Sequence, residues 1–223
     1  MRAMVLAAGY GKRMRPLTDH TPKPLLTVAD KPLIVYHLEK LKAAGVEQVV
    51  INTGWLGAQI PAMLGDGQQF GLNIAYSPEP SPLETAGGIR NALPLLGEQP
   101  FWLVNGDIWT DYAFERLPKT LDGLAHLVMV DNPAHNRDGD FALCERGVVS
   151  ESGSRSLTYG GVACISPTLL THYDSQQPRL APLLRAAMAD HCVTGEYHAG
   201  QWWDIGTPER LQALDSQLRL QHG

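Results

Sequence analysis

The 223-residue chain has only three cysteines, Cys144, Cys164 and Cys192, all far apart. No C-x-x-C pair occurs, so neither a zinc knuckle nor a disulfide framework is supported, and the three read as small core or surface residues. No apolar run approaches the ~20 residues that a membrane helix needs. The N-terminal apolar run is short and soon broken by glycines and charges, unlike a secretory signal. There is no linker, low-complexity tract or hexapeptide repeat, which excludes a repeat solenoid. A soluble, cytoplasmic protein is expected, with 1–223 forming one domain of ordinary apolar content, 44 %.

Two familiar phosphate loops are also missing. A Walker A loop requires G-x-x-x-x-G-K-[ST]. Here Gly11-Lys12 is followed by Arg13, and no glycine lies five residues before Gly11. A dinucleotide fingerprint requires G-x-G-x-x-G, and Met14 stands where the third glycine should be. Only glycine permits the close helix–strand approach of that motif, so NAD and FAD are disfavoured.

What the N-terminus has instead is an apolar run, Ala3 to Ala8, that reads as a buried strand. It opens into Gly9-Tyr10-Gly11-Lys12-Arg13, followed by a proline-flanked Lys23. Glycines let backbone N–H groups approach phosphate oxygens, and the cations neutralise charge. Charge is unevenly spread. Residues 1–42 carry eight Lys/Arg against three acids, whereas the whole chain has a net charge of −5. A local cationic site on an acidic body suits a small polyanion and argues against a nucleic-acid partner.

Strand-like and helix-like segments alternate through the first half. Strands are expected at Ala3–Ala8, Gln48–Asn52, Leu72–Tyr76 and Phe101–Asn105. Helices are expected at Leu33–Ala44, Thr85–Leu95 and, weakened by Pro61, Leu56–Leu64. Repeated βα units imply an α/β fold with a doubly wound, mostly parallel sheet, in which ligands sit beyond the carboxyl ends of the strands. Gly9–Arg13 and Asn105–Asp107 both fall at such ends. The second half is mixed: a strand at Ala125–Val130, an antiparallel pair Asp140–Val149 and Leu157–Ile165, helices Ala181–Ala189 and Glu209–Leu220, and an extended Val193–His198.

Asp107 ends an apolar strand. It reads either as a turn-forming Asp or as a magnesium ligand beside phosphate. Asp204, just before the last helix, reads either as a strand-end Asp or as a second ligand. Pro82–Gly88 opens a helix, and its small residues would admit a flat base or simply start the helix. Asp140 reads equally as a turn residue or a partner of sugar hydroxyls.

Together, Leu6-Ala7-Ala8-Gly9-x-Gly11-Lys12-Arg13-x-x-Pro16-Leu17-Thr18 and Pro22-Lys23-Pro24-Leu25 resemble the signature of the sugar nucleotidyltransferases. These make nucleoside-diphosphate sugars from an NTP and a sugar 1-phosphate. Lys12 departs from the usual Ser or Thr. Further likenesses lie at Glu84–Gly88, Asn105–Asp107 and Trp203–Thr207, so the resemblance spans the chain.

The resemblance implies a Rossmann-like, GT-A-like sheet with a small antiparallel hairpin region for the sugar. It implies Mg²⁺ on Asp107 and Asp204, with Arg13 and Lys23 catalytic. The nucleotide would be bound by Leu6, Ala8, Gly9, Gly11, Lys12, Thr85, Gly87, Gly88 and Asp107. The sugar would be bound by Asn105, Asp140 and Gly160, with Glu79 and Glu84 as weaker candidates for the base or ribose. In overall length and several local strings the chain resembles one branch of this family, and that resemblance implies UTP and N-acetylmuramate 1-phosphate, hence peptidoglycan recycling. A guanylyl- or thymidylyltransferase for a hexose 1-phosphate is the alternative. A non-catalytic nucleotide sensor and a phosphocholine-type cytidylyltransferase, which would need an aromatic cage among the tryptophans, are less well supported. Many relatives carry a phosphate-binding Lys in an E-K-P string that this chain lacks, so either Arg146 or Arg155 substitutes or the sugar phosphate relies on other donors. Lacking a C-terminal β-helix, the chain is expected to be a monomer or dimer.

Overall fold

The computed structural model describes residues 1–172, 174–176 and 178–222. The chain runs from β1 (Arg2–Leu6) through a ribbon of β2 (Thr27–Val28) and β3 (Lys31–Pro32) to α1 (Leu33–Ala43), β4 (Gln48–Thr53) and α2 (Gln59–Leu64). It continues with β5 (Asn73–Pro78), α3 (Glu84–Leu96), β6 (Phe101–Asn105), β7 (Ile108–Thr110), β8 (Ala125–Val130), β9 (Phe141–Leu143) and β10 (Val149–Ser150). Last come β11 (Ser156–Ile165), α4 (Leu180–Ala189), β12 (Val193–Tyr197), β13 (Trp202–Asp204) and α5 (Pro208–His222).

Alternation in β1 explains the layers. Ala3 and Val5 enter one core and Met4 the other, all fully buried. A strand buried on both faces belongs inside a sheet covered by helices on each side. β1 lies between β4 and β6, parallel to both, and β5 extends the sheet in parallel beyond β4. On the other side β11 runs antiparallel to β6, β8 antiparallel to β11, and β12 parallel to β8. α1 and α2 cover one face through Ile34, Leu38, Leu41, Ile60 and Leu64. α3 and α4 cover the other through Ile89, Ala92, Leu96, Leu184 and Met188.

The expected elements are present with small boundary shifts, apart from one. The segment Asp140–Val149 is not a single strand. A turn at Gly147, with φ +75°, folds it into β9 and β10, which pair antiparallel with each other. β9 also pairs with the first residues of β11. The three cysteines are free thiols. No helix among the described residues is long and apolar enough to cross a membrane.

Two long-range contacts position the parallel-strand ends. In a third cluster, Met14 of the glycine loop packs with Leu26, Leu33 and Trp109 and with Leu214 and Leu218 of α5. The far end of the chain therefore clamps the loop. A buried polar chain does the rest. The Ala7 amide donates to Asn52 Oδ1 at 2.7 Å, Asn52 Nδ2 donates to Glu79 Oε1 at 2.7 Å, and the Leu83 amide donates to Glu79 Oε2 at 2.8 Å. It ties the ends of β1, β4 and β5 to the start of α3. Gly88 is required beneath it, because a Cβ there would lie 2.6 Å from Glu79 Oε1 and 2.9 Å from Asn52 Nδ2.

Asn52→Ala leaves Glu79 without one partner and the Ala7 amide without its acceptor. A loss of about 1–3 kcal/mol is expected, since an orphaned buried polar group costs its desolvation. Urea unfolding measures it, and a loss below about 0.5 kcal/mol would show the chain of bonds to be dispensable.

His37 in α1 is buried, and among the described residues neither ring nitrogen has a well-formed hydrogen bond. Burial pushes its pKa down to about 4, from 6.5. Between those values the unfolded chain binds the extra proton, so stability falls as pH drops through that window. The full shift corresponds to roughly 3 kcal/mol. Unfolding of the wild type and His37→Leu at pH 7 and pH 4.5 should show a shallower decline in the variant. Equal declines would assign the acid sensitivity to other groups.

Candidate active site

Two neighbouring cavities open beyond the carboxyl ends of β1, β4 and β6. The first, of about 350 Å³, is lined by Leu6, Ala7, Ala8, Gly9 and Tyr10 of the loop, with Lys23, Asn52, Glu79, Thr85, Asn105 and Asp107 around them. The second, of about 390 Å³, is lined by Arg13, His135, Asn136, Thr158, Tyr159, Gly161, Trp202 and Asp204, again with Asn105 and Asp107. Asn105 and Asp107 thus form a wall common to both.

The glycine loop leaves β1 with its backbone accessible. A Cβ at Gly9 would meet nothing within 4 Å, so Gly9 faces open space. Gly11 adopts φ +60°, and a Cβ there would lie 2.8 Å from Thr18 Cγ2. Thr18 Oγ1 donates to the Gly11 carbonyl at 2.8 Å, which closes the loop. Lys12 is exposed, with its ammonium 5.1 Å from the Tyr10 ring centroid. Arg13 is exposed and has no ion-pair partner among the described residues.

Lys23 sits in a short 3-10 turn, Lys23–Leu25, and is buried. Its Nζ meets Asp107 Oδ2 at 2.7 Å, while the Asp107 side chain stays 41 % exposed to the cavities. Asp204 is brought alongside by backbone pairing. β13 runs antiparallel to β7, with Asp204 opposite Ile108, and the Ile205 amide donates to the Asp107 carbonyl at 2.9 Å. Asp204 Oδ2 accepts from Arg210 Nη1 at 2.7 Å and lies 3.0 Å from His135 Nε2. In both carboxylates Oδ1 has no hydrogen-bond partner among the described residues.

Among the described residues no group of three or more His, Cys, Asp or Glu could hold a metal. Two adjoining carboxylates with free oxygens still suit one kind of ion. Mg²⁺ prefers hard oxygen donors and takes one or two carboxylates, completing its shell with substrate phosphates and water. The donor set here fits that pattern.

The other expected site residues divide. Leu6, Ala8, Gly9, Thr85, Asn105 and Asp107 line the first cavity, as do Glu79 and Glu84. Gly11 shapes the loop from behind. Gly87 and Gly88 are buried in α3 and line neither cavity; the Gly87 amide bonds to the Pro178 carbonyl at 3.2 Å. Asp140 is engaged by the Tyr159 amide at 2.8 Å and Asn136 Nδ2 at 3.1 Å, so it braces the hairpin rather than facing a cavity. Gly160 accepts from Trp202 Nε1 at 2.8 Å through its carbonyl, and its neighbours Tyr159 and Gly161 line the second cavity.

Neither expected substitute cation is at the site. Arg155 stacks on the Tyr197 ring at 4.1 Å, and Arg146 is exposed beside the β9–β10 turn. Trp102 and Trp109 are buried in different clusters, and among the described tryptophans Trp202 alone lines one of these two cavities. Sequence reasoning passed over Asn52, His135 and Asn136 as site residues. None stands in a recognisable string, and Asn52 is marked only as the last residue of a strand.

A nucleotidyl transferase family model matches residues 2–147. The chain is 52 % identical to an N-acetylmuramate alpha-1-phosphate uridylyltransferase from Neisseria meningitidis serogroup B, over 95 % of this chain and 96 % of that one. It is 36 % identical to a protein of the same name from Caulobacter vibrioides, over 97 % and 96 %. Its fold superposes on a crystal structure described as a candidate glucose-1-phosphate thymidylyltransferase from Bacillus anthracis, with a TM-score of 0.87 at 21 % identity over 98 % and 96 % of the two chains. The cationic glycine loop, the paired carboxylates and these similarities lead to one assignment: the chain belongs to the nucleotidyl transferase family.

Proposed function

We propose that the chain acts as one Mg²⁺-dependent cytoplasmic unit that transfers a uridylyl group from UTP to N-acetylmuramate 1-phosphate, in recycling of peptidoglycan sugar. The observation that carries the reading is the wall between the cavities. There a buried Lys23 is paired with a half-exposed Asp107, and on the far side stand Asp204, held by Arg210, and Arg13, which has no ion-pair partner among the described residues. The choice of base and sugar rests on the activity named for the relatives from Neisseria and Caulobacter.

In this reading the first cavity holds the nucleotide and the second the sugar 1-phosphate. An acceptor phosphate oxygen attacks the α-phosphorus, a new P–O bond forms, and the α–β bridging P–O bond breaks. Pyrophosphate leaves with that electron pair. The acceptor oxygen is already ionised near neutral pH, so no general base is required. What the protein must supply is alignment and charge neutralisation for two anions that repel. Backbone amides of the Gly9–Gly11 loop face the nucleotide phosphates. Arg13 grips the departing pyrophosphate with a planar fork that lysine lacks. Lys23 turns from Asp107 toward the α-phosphate as charge builds there. Asp107 and Asp204 would hold the Mg²⁺, which would neutralise phosphate charge when bound.

Lys23→Ala and Arg13→Ala should each lower kcat by about 10²-fold or more, as loss of a preorganised charge-stabilising donor does. Steady-state kinetics decide it, and near-normal turnover in both would remove these roles. Pyrophosphate release measured across four NTPs and a panel of sugar 1-phosphates should favour UTP with N-acetylmuramate 1-phosphate. Activity with GTP or dTTP but none with UTP would replace the uridylyl assignment.

A further inference from the structure

Gly206 lies between two guanidinium groups that come from opposite ends of the chain. A Cβ built there would be 2.8 Å from Arg210 Nη1, 3.4 Å from Arg13 Nη1 and 3.3 Å from Asp204 Oδ2. Only glycine leaves room for three charged groups to converge on that spot. Arg210 enters from the first turn of α5, where Pro208 starts the helix. Arg13 comes from the glycine loop, held in place by its neighbour Met14 packing on Leu214 and Leu218 of the same helix.

The charges there do not balance. Guanidinium groups are permanently cationic, and of the two converging there only Arg210 is paired with the one nearby carboxylate, Asp204. Arg210 uses Nη1 for Asp204 Oδ2 and approaches His135 Nε2 at 3.4 Å with the same nitrogen. Arg13 has no partner among the described residues. The surplus is positive before any metal arrives. A divalent ion taken up by Asp204 would enlarge it and weaken the hold of Asp204 on Arg210. An arriving anion with several oxygens relieves it, and a phosphate matches the guanidinium fork in geometry.

The position of the surplus selects which anion. Both residues that Arg210 touches, Asp204 and His135, line the second cavity and not the first. Among the described residues the only Lys or Arg lining the second cavity is Arg13. If Arg13 is committed to the leaving pyrophosphate, the acceptor phosphate needs a cation of its own, and Arg146 and Arg155 are elsewhere.

We propose that Arg210 binds the phosphate of the sugar 1-phosphate, changing partner from Asp204 when the metal binds. The proposal rests on the functional reading above for the identity of the acceptor. Arg210 is a substrate-binding residue in this scheme, and its link to Asp204 couples metal loading to acceptor capture. Without metal, Asp204 holds the guanidinium back; with metal, the guanidinium is free for the anion.

The test compares wild type, Arg210→Ala and Arg210→Lys. Calorimetry with Mg²⁺ and a non-reactive UTP analogue measures binding of N-acetylmuramate 1-phosphate, N-acetylglucosamine 1-phosphate and glucose 1-phosphate. Arg210→Ala should weaken every sugar 1-phosphate by about tenfold or more, as loss of a charge-assisted contact does, and Arg210→Lys should recover part of it. Affinity for the UTP analogue without acceptor should stay within about twofold, which also verifies the fold. Mn²⁺ affinity, read by water-proton relaxation, should be unchanged or tighter in Arg210→Ala, because a competitor for Asp204 is gone.

Equal acceptor affinity in wild type and Arg210→Ala overturns the proposal. So does a loss confined to N-acetylmuramate 1-phosphate, which would place the guanidinium on the lactyl carboxylate. A joint fall in Mn²⁺, nucleotide and acceptor affinity would mean that Arg210 only holds Asp204 in place. Failure of the functional reading looks different, since the wild type would then bind sugar 1-phosphates yet transfer no uridylyl group to any of them.

Discussion

The contact between Lys23 and Asp107 organises this molecule. It joins residues 84 positions apart and closes the glycine loop onto the end of the central strand β6. An ammonium with this little exposure is costly unless a counter-charge is in contact with it. Asp107 supplies that charge while keeping an oxygen in the open. The pair is therefore stable without ligand, yet both members remain able to exchange partners. In the proposed reaction the ammonium trades a carboxylate for a phosphate and the carboxylate trades an ammonium for a metal ion. Each exchange replaces one charge-assisted contact by another, so neither group is left bare in the cleft.

Asp204 and Arg210 repeat the arrangement on the opposite side of the wall, with a carboxylate and a cation paired at 2.7 Å. The two pairs are coupled through the backbone, because Asp204 lies opposite Ile108 in a two-stranded ladder. A carboxylate shift on one strand is carried to the other with little slack. The polar chain through Asn52 and Glu79 gives the first cavity the same rigidity. Preorganised charges are effective because they need no rearrangement when charge develops on the substrate. The site is held by sheet ends, and Gly11, Gly88 and Gly206 stand where a side chain would intrude.

Much of this could be read from the sequence, for local reasons. β1, β4, β6, β8, α1 and α3 are continuous apolar or amphipathic segments with clear stops, and their periodicity suffices. The glycine loop, Lys23, Asp107 and Asp204 stand in strings that few other sites share. The remainder depends on pairing between distant segments. β7 and β13 are three residues each and become strands only by finding one another. The turn that divides β9 from β10 needs the positive φ of Gly147, whereas the surrounding residues read as one run. Gly87 and Gly88 look alike in the linear pattern, but the small size of Gly88 serves the packing of Glu79 and Asn52 above it. Asp140 looks free in a turn and is engaged twice by its own hairpin. His135 and Arg210 carry no local mark, and their importance lies in what they touch.

Charge placement finally explains how an acidic protein can gather polyanions. The net charge of −5 repels a long phosphate chain at a distance. Within the cleft the balance is local, because exposed charges beyond a Debye length of about 8–10 Å are screened and nearby ones are not. Lys23 and Arg210 are each held by a carboxylate, and Arg13 is free, so the ligand-free cleft carries a modest surplus. A small phosphate ester that fits the cavities meets that surplus at contact range. An extended nucleic acid would have to lay its remaining phosphates along the acidic body. The paired carboxylates therefore do two things at once. They keep the cations from attracting every anion in reach, and in the proposed reaction they would offer oxygens to a divalent ion whose shell a phosphate helps to complete.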